Sequence, residues 1–343
     1  MMRRSGLAAL VFMLIGVPVY SGAQQTPQVV VDSDAGTDDL MAISYLLAGR
    51  EVDLKAITVV NGLAHVEQGA KNILKLLELA GRTEIPVFVG ETHPLAGNAA
   101  FPEEWRRLSD NPPDVKLPQS VRSPEKQSAV EYLAKEMRLA GGGPSLRILA
   151  LGPLTNIAKA LEAYPSRVRG IRSIVIMGGA ISVPGNLGDG GVFKTENKTA
   201  EWNMYIDPLA ASRVFASGVS IELVPLDATN HVPIDGAFVR DFAKKSATPL
   251  GRVVSQLFAS ERDLIEQHAF YAWDPLAAVI LAHPGVARFK DYRIEIEMKP
   301  PAEGHTRSVP AGKTNTRVAT DADSAAFMRL FTAAFLQRTP QIH

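Results

Sequence analysis

Cysteine is absent from this 343-residue chain. That excludes disulfides, thiol nucleophiles and thiolate metal sites, so any metal must be held through oxygen or imidazole. Net charge is lacking as well, because 36 Lys and Arg balance 36 Asp and Glu. A neutral chain has no electrostatic reason to seek nucleic acid or an anionic membrane. No G-x-S-x-G elbow, H-E-x-x-H helix or G-x-x-x-x-G-K-[ST] loop occurs, which removes the common signatures of serine hydrolases, zinc proteases and P-loop enzymes. Apolar runs are short. The one candidate, Leu7 to Tyr20, falls below the roughly 20 residues a membrane span needs.

That run has another reading. It follows the basic start Met1-Met2-Arg3-Arg4 and precedes the small residues Ser21-Gly22-Ala23. This is the layout of a secretory signal peptide over residues 1–23, cleaved after Ala23. The expected protein is exported, periplasmic or secreted, and residues 24–343 form its working domain, without a membrane segment in the mature form.

What the chain does have is an alternation of strand and helix patterns. Leu54–Val60, Pro86–Val89, Leu146–Leu151, Ser173–Met177 and Ile221–Leu226 read as buried strands. Glu67–Ala80 has helical periodicity, with Ile73, Leu76, Leu77 and Ala80 on one face, and Glu125–Leu139 is helical up to Gly141-Gly142-Gly143-Pro144. Late strands are expected near Tyr292–Met298 and Arg317–Ala319, with a last helix near Asp321–Gln337. The order implies an α/β fold, a single domain with a mainly parallel central sheet flanked by helices and a Rossmann-like core. Ligands in such sheets bind beyond the carboxyl ends of the strands, so residues just after each strand are the candidates.

The first strand, Val29-Val30-Val31, leads into Asp32-Ser33-Asp34-Ala35-Gly36-Thr37-Asp38-Asp39. Four carboxylates fall within eight residues, and no Lys or Arg lies between Gln25 and Gly49. Like charges this close repel unless a cation or a network of donors sits among them. Oxygen ligands in an exported protein favour Ca²⁺ over zinc. After later strands come Gly152-Pro153-Leu154-Thr155-Asn156, Gly178-Gly179-Ala180, Pro184-Gly185-Asn186, Ala200-Glu201-Trp202-Asn203 and Trp273-Asp274-Pro275. Acids, amides and glycine turns thus converge on one sheet edge.

In these segments, with Asp207-Pro208 and in this order over about residues 28 to 336, the chain resembles the inosine-uridine preferring nucleoside hydrolase family. The resemblance implies hydrolysis of the N-glycosidic bond of nucleosides, giving ribose and free base. It implies Ca²⁺ held by Asp34, Asp39, Asp274 and the backbone carbonyl of Thr155, with Asp34 also the catalytic base on a water bound to the ion. Asp38 and Asn203 would grip the 2′ and 3′ hydroxyls, Asn186 and Glu201 the 5′ end of the sugar. Asn197 competes with Asn186 for that role. Met177 would line the sugar pocket, and Asp32 would brace the base of the turn. A homodimer or homotetramer is what relatives suggest.

Where many relatives carry a His before the last metal-binding Asp, this chain has Trp273, as in the purine-preferring branch. Stacking of Trp273, with Trp105 as second aromatic, would favour a purine base. His268 is a candidate for the missing acid. After the second strand Asn61 precedes Gly62, reversing the order of many relatives, so Asn61 either reaches the site or shapes the turn. Three rival functions fit these residues less well. A non-catalytic periplasmic nucleoside or sugar receptor would lack the general base that Asp34 supplies. A phosphoryl-transfer hydrolase would need Thr where Gly36 stands. An EF-hand module would need different loop spacing.

Overall fold

A computed structural model describes residues 27–49, 51–139, 146–163, 170–188, 193–310 and 314–336. The expected signal peptide and the Gly141–Pro144 turn lie outside the described residues. The strands are β1 (Gln28–Ser33), β2 (Asp53–Val59), β3 (Val87–Val89), β4 (Leu146–Ala150), β5 (Ile171–Met177), β6 (Ile221–Val224), β7 (Ala287–Ile296), β8 (Thr306–Val309) and β9 (Thr316–Ala322). The helices are α1 (Thr37–Ala48), α2 (Val66–Ala80), α3 (Glu103–Asp110), α4 (Ala129–Leu139), α5 (Thr155–Ala163), α6 (Trp202–Ile206) and α7 (Pro208–Ala216). There follow α8 (Leu226–Thr229), α9 (Gly236–Lys245), α10 (Pro249–Ser260), α11 (Arg262–Glu266), α12 (Trp273–Ala282) and α13 (Ser324–Ala334).

The nine strands form one sheet in the order β3-β2-β1-β4-β5-β6-β9-β7-β8. All pairs from β3 to β9 are parallel, and at one end β7 pairs antiparallel with both β9 and β8. Val31 of β1 sits beside Ile57 of β2 and Leu149 of β4. A strand flanked by parallel neighbours is covered on both faces, which is why Val29, Val30 and Val31 are all buried. One face packs on α1, α2, α10, α12 and α13 through Leu40, Ile43, Ile73, Leu276, Val279 and Phe331. The other packs on α4, α5 and α7 through Leu133, Ile157 and Val214.

The expected parallel α/β architecture is present. Several elements escaped the sequence reading, among them helices α3, α5, α7, α9, α10 and α12 and strand β8. Helix α3 has little apolar periodicity: Ser109 is its one fully buried residue, and its surface carries the Glu103–Arg107 pair. Strand β8 is four residues long with two exposed. The late elements also shift, β7 beginning at Ala287 rather than near Tyr292 and α13 starting at Ser324.

Candidate active site

At the carboxyl end of β1 the chain turns through Asp34, Ala35 and Gly36 into α1, with Ala35 in the left-handed region at φ 59°. Asp39, in the first turn of α1, folds back over this turn. Its Oδ1 accepts from the Ser33 hydroxyl (2.5 Å) and the Asp34 N–H (3.1 Å), and its Oδ2 from the Gly36 N–H (3.0 Å). These are donors that a helix N-terminus otherwise leaves unpaired. Asp34 Oδ2 accepts from the Leu63 N–H at 2.9 Å. Two glycines make room for the Asp34 side chain. A Cβ on Gly62 would stand 2.0 Å from Asp34 Oδ2, and one on Gly152 would stand 2.8 Å from Asp34 Cβ. Asp32 is the expected brace: its Oδ1 accepts from Thr58 (2.6 Å) and Asn156 (2.9 Å), tying β1 to β2 and α5.

Above this turn lies the acidic floor. One carboxyl oxygen from each of Asp38, Asp39 and Asp274 lies within 4.8 Å of the others. Asp274 arrives from the first turn of α12, far away in sequence. Asp34 adjoins the trio through the Asp39 carboxyl. Burial first, and then the charge of Asp39, push Asp34 and Asp274 well above the usual carboxylate range. The same two causes push Asp38 up to about 8, while burial alone dominates at Asp32, raised to about 7. No Lys, Arg or His lines this space among the described residues. Three buried acids and the half-buried Asp38, drawn together without a basic side chain, are a costly arrangement. An all-oxygen donor set with this charge fits a hard divalent ion.

The floor opens into a cavity of about 470 Å³. Asp34, Asp38, Asp39, Asp274, Met177, Asn186, Glu201, Asn203, Trp105 and Trp273 all line it, so most of the expected set is brought together. Asn203 gives its Nδ2 to the Leu151 carbonyl at 2.9 Å and to that of Met177 at 3.3 Å, leaving its carbonyl oxygen for a ligand. Glu201 caps α6 and accepts from the N–H groups of Gly179, Asn203 and Met204. Asn186 keeps a buried Oδ1 without a partner. Asn197, its rival, is committed elsewhere. Its Nδ2 donates to the Glu303 carbonyl, and its Oδ1 accepts from Thr199 and Ala200.

Two expected residues are not on the cavity wall. Thr155 is fully buried at the start of α5, and its hydroxyl donates to Asp207 Oδ2 at 2.7 Å. Asn61 donates its N–H to the Glu91 carbonyl, and its buried Oδ1 has no partner. Its segment reaches the site through Gly62 and Leu63, which touch Asp34. His268 does not line the cavity either, so it is no substitute acid. Asp227 accepts from the N–H groups of Ile181 and Ser182 and shapes that turn.

The upper wall is aromatic. Trp273 meets Phe270 edge-on at 5.2 Å, and Trp105 meets Trp202 edge-on at 5.7 Å. Trp202 stacks on Phe101 at 4.6 Å. Phe101, Trp202, Phe270 and Glu261 are wall residues that sequence reasoning missed. Trp202 stood inside the Ala200–Asn203 segment, but Phe270 and Glu261 belong to no recognisable motif.

Carboxylates gathered at the strand ends of a parallel sheet, beneath a closed apolar wall, define the class as a metal-dependent hydrolase. The model of the inosine-uridine preferring nucleoside hydrolase matches residues 29–329, and the chain belongs to that family. It is therefore a ribonucleoside hydrolase. The pyrimidine-specific ribonucleoside hydrolase RihA of Salmonella gallinarum is 30% identical over 316 residues, 88% of this chain and 96% of that protein. Uridine nucleosidase 1 of Arabidopsis thaliana is 29% identical over 283 residues, 81% of each. Among solved structures, the purine-preferring ribonucleoside hydrolase from Gardnerella vaginalis superposes with a TM-score of 0.78 at 26% identity, covering 90% of this chain and 98% of that one.

Proposed function

We propose that the protein is a calcium-dependent hydrolase that prefers purine ribonucleosides and releases ribose and the free base. The observation that carries this reading is the clustering of the Asp38, Asp39 and Asp274 carboxyls in a cavity that Trp273 also lines. Asp34, Asp39, Asp274 and the Thr155 carbonyl would hold the ion, and the crowding of unneutralised acids supports that assignment. When bound, Ca²⁺ would acidify a neighbouring water and fix the ribose hydroxyls.

The chain's own residues supply the rest. Asp38 and the Asn203 carbonyl accept from the 2′ and 3′ hydroxyls. Asn186 and Glu201 receive the 5′ end. Asp34, steadied by the Leu63 N–H, takes a proton from the water as its oxygen attacks C1′. Positive charge grows on the ribosyl ring as the C–N bond breaks, and the surrounding carboxylates and amide oxygens stabilise it. Fixing both sugar edges aligns C1′ with the nucleophile. Trp273 offers a face to the base, and the aromatic wall favours the larger purine.

The test is release of base from inosine, guanosine, uridine and cytidine, with and without a calcium chelator. Faster turnover of the purine ribosides, abolished by the chelator and restored by Ca²⁺, is the expected result. Turnover of pyrimidines alone overturns the role given to Trp273, and chelator-insensitive turnover overturns the metal. The basic start and short apolar run of residues 1–23 support the reading that the protein is exported. An exported product beginning at Gln24 on N-terminal sequencing is the expected result, and an intact Met1 start would refute it.

A further inference from the structure

Departure of the base leaves an electron pair on a ring nitrogen, and that pair needs a proton. The cavity wall contains no His, Lys, Arg, Tyr or Cys among the described residues. Carboxyl groups are therefore the acids on offer. Four of them, Asp34, Asp38, Asp39 and Asp274, make the floor. Glu201 is raised by burial, but both its oxygens are engaged by backbone N–H groups of Gly179, Asn203 and Met204 at the sugar end of the cavity. Asp263 is exposed to solvent. Glu261 remains. We propose that Glu261 is the general acid that protonates the leaving base, an assignment that rests on the nucleoside hydrolase reading.

Its place supports the role. Glu261 lies at the junction of α10 and α11, where it ends one helix and begins the next. The Thr37 hydroxyl donates to its Oε1 at 2.7 Å, pinning the carboxyl beside the first turn of α1. It thus stands between the acidic floor and the wall made by Leu264, Phe270 and Trp273, where floor-bound ribose meets base. The charged group that faces it from α1 is Asp38, while Asp263 also lines the cavity and the adjacent Arg262 is exposed. Burial raises its carboxyl above the usual range, against the lowering pull of the Thr37 hydroxyl. A carboxyl that holds its proton more tightly than usual, beside the place where the base departs, is suited to donate.

The step balances. The C1′–N bond breaks with its electron pair going to the base, and the Glu261 proton moves to a base nitrogen. Water oxygen bonds to C1′, and its proton goes to Asp34. Exchange with solvent returns Glu261 and Asp34 to their starting states, so one water is consumed.

The experiment compares wild type with Glu261→Gln on two substrates. One is the ribonucleoside that the wild type cleaves fastest, so a failed purine preference leaves the test standing. The other is p-nitrophenyl β-D-ribofuranoside, whose leaving group departs without a proton. The expected kcat loss on the nucleoside is about 10²–10⁴-fold, against less than about tenfold on the aryl riboside. The alkaline limb of the nucleoside kcat profile should vanish with it. The aryl riboside rate also reports whether the fold and the floor survive. Parallel losses on both substrates, or an unchanged nucleoside rate, overturn the assignment. A wild type that cleaves the aryl riboside but no nucleoside removes the underlying reading, and the assignment falls with it.

Discussion

The floor and the wall of the cavity are built by different rules. The floor is made where strands end. Asp34 and Asp39 follow β1, and Asp34 is wedged between Gly62 and Gly152 and held by the Leu63 N–H. Every acid there has backbone or side-chain neighbours that restrict it to one place. The wall is assembled from α3, the chain before α6, and the α10 to α12 segment. Its rings meet stacked at 4.6 Å or edge-on at 5.2 and 5.7 Å, contacts that fill space without dictating which side chain must fill it. Rigid strand ends suit bond cleavage, which tolerates little displacement. A wall of helices and loops can vary and so sets which base is accepted. Relatives named for uridine, pyrimidines and purines share the family, as expected if floors are kept while walls differ.

Breaking the floor should have the largest effect. Asp34→Asn is expected to lower kcat on every nucleoside and on aryl ribosides alike, by about 10²–10⁴-fold as for loss of a general base. Circular dichroism and thermal melts should show an intact fold. A variant that keeps more than a tenth of the activity would mean that another group takes the proton. Breaking the wall should be milder and selective. Trp273→Ala is expected to weaken purine ribosides by about 1–3 kcal/mol, roughly 5- to 150-fold in KM, with kcat less affected. Equal losses for purine and pyrimidine ribosides would argue that Trp273 only supports packing.

The floor also predicts an inverted pH response of stability. The Asp32 carboxyl is pushed from 3.8 to about 7 in the folded protein, and that of Asp38 to about 8. Between about pH 4 and 8 the folded chain therefore holds protons that the unfolded chain has shed. Stabilisation from these groups is complete below the unfolded value and is lost as pH rises through the folded values. Chelated protein should melt at falling temperature from pH 5 to 8, and saturating Ca²⁺ should reverse the trend by binding the ionised carboxylates. A chelated melting temperature that is flat or rising over that range would refute an uncompensated floor. The smallest effect is expected behind the wall. Asn197→Ala removes the hydrogen bonds to Glu303, Thr199 and Ala200 and should cost about 1–3 kcal/mol of stability with KM unchanged. A raised KM for ribosides would return Asn197 to the sugar site.

The legible part of the site was the part with obligatory chemistry. Asp32, Asp34, Asp38 and Asp39 stand within one turn, and their mutual repulsion announces a cation whatever the fold. Strands such as Val29–Val31 and Ile174–Met177 were legible because burial on both faces demands unbroken apolar runs. Other residues left no local trace. Helix α3 lies on the surface and escapes periodicity, so Trp105 read as a loop residue. Glu261 belongs to no motif, and its meeting with Thr37 spans 224 positions. Asn186 and Asn197 are alike in composition and context, and the Glu303 carbonyl tells them apart.

The amino-acid sequence by itself determined the alternation of strand and helix, the absence of thiol chemistry and the acidic turn after the first strand. These follow from local steric preference, hydrophobic pattern and like-charge repulsion, none of which needs distant partners. Only the tertiary structure decided that Asp38 clusters with Asp39 and Asp274, that Thr155 and Asn61 stand off the wall, and that Glu261 faces the cavity. Those outcomes depend on which helix ends the folded sheet brings within hydrogen-bond and Coulomb range, and separation along the chain carries no record of that distance.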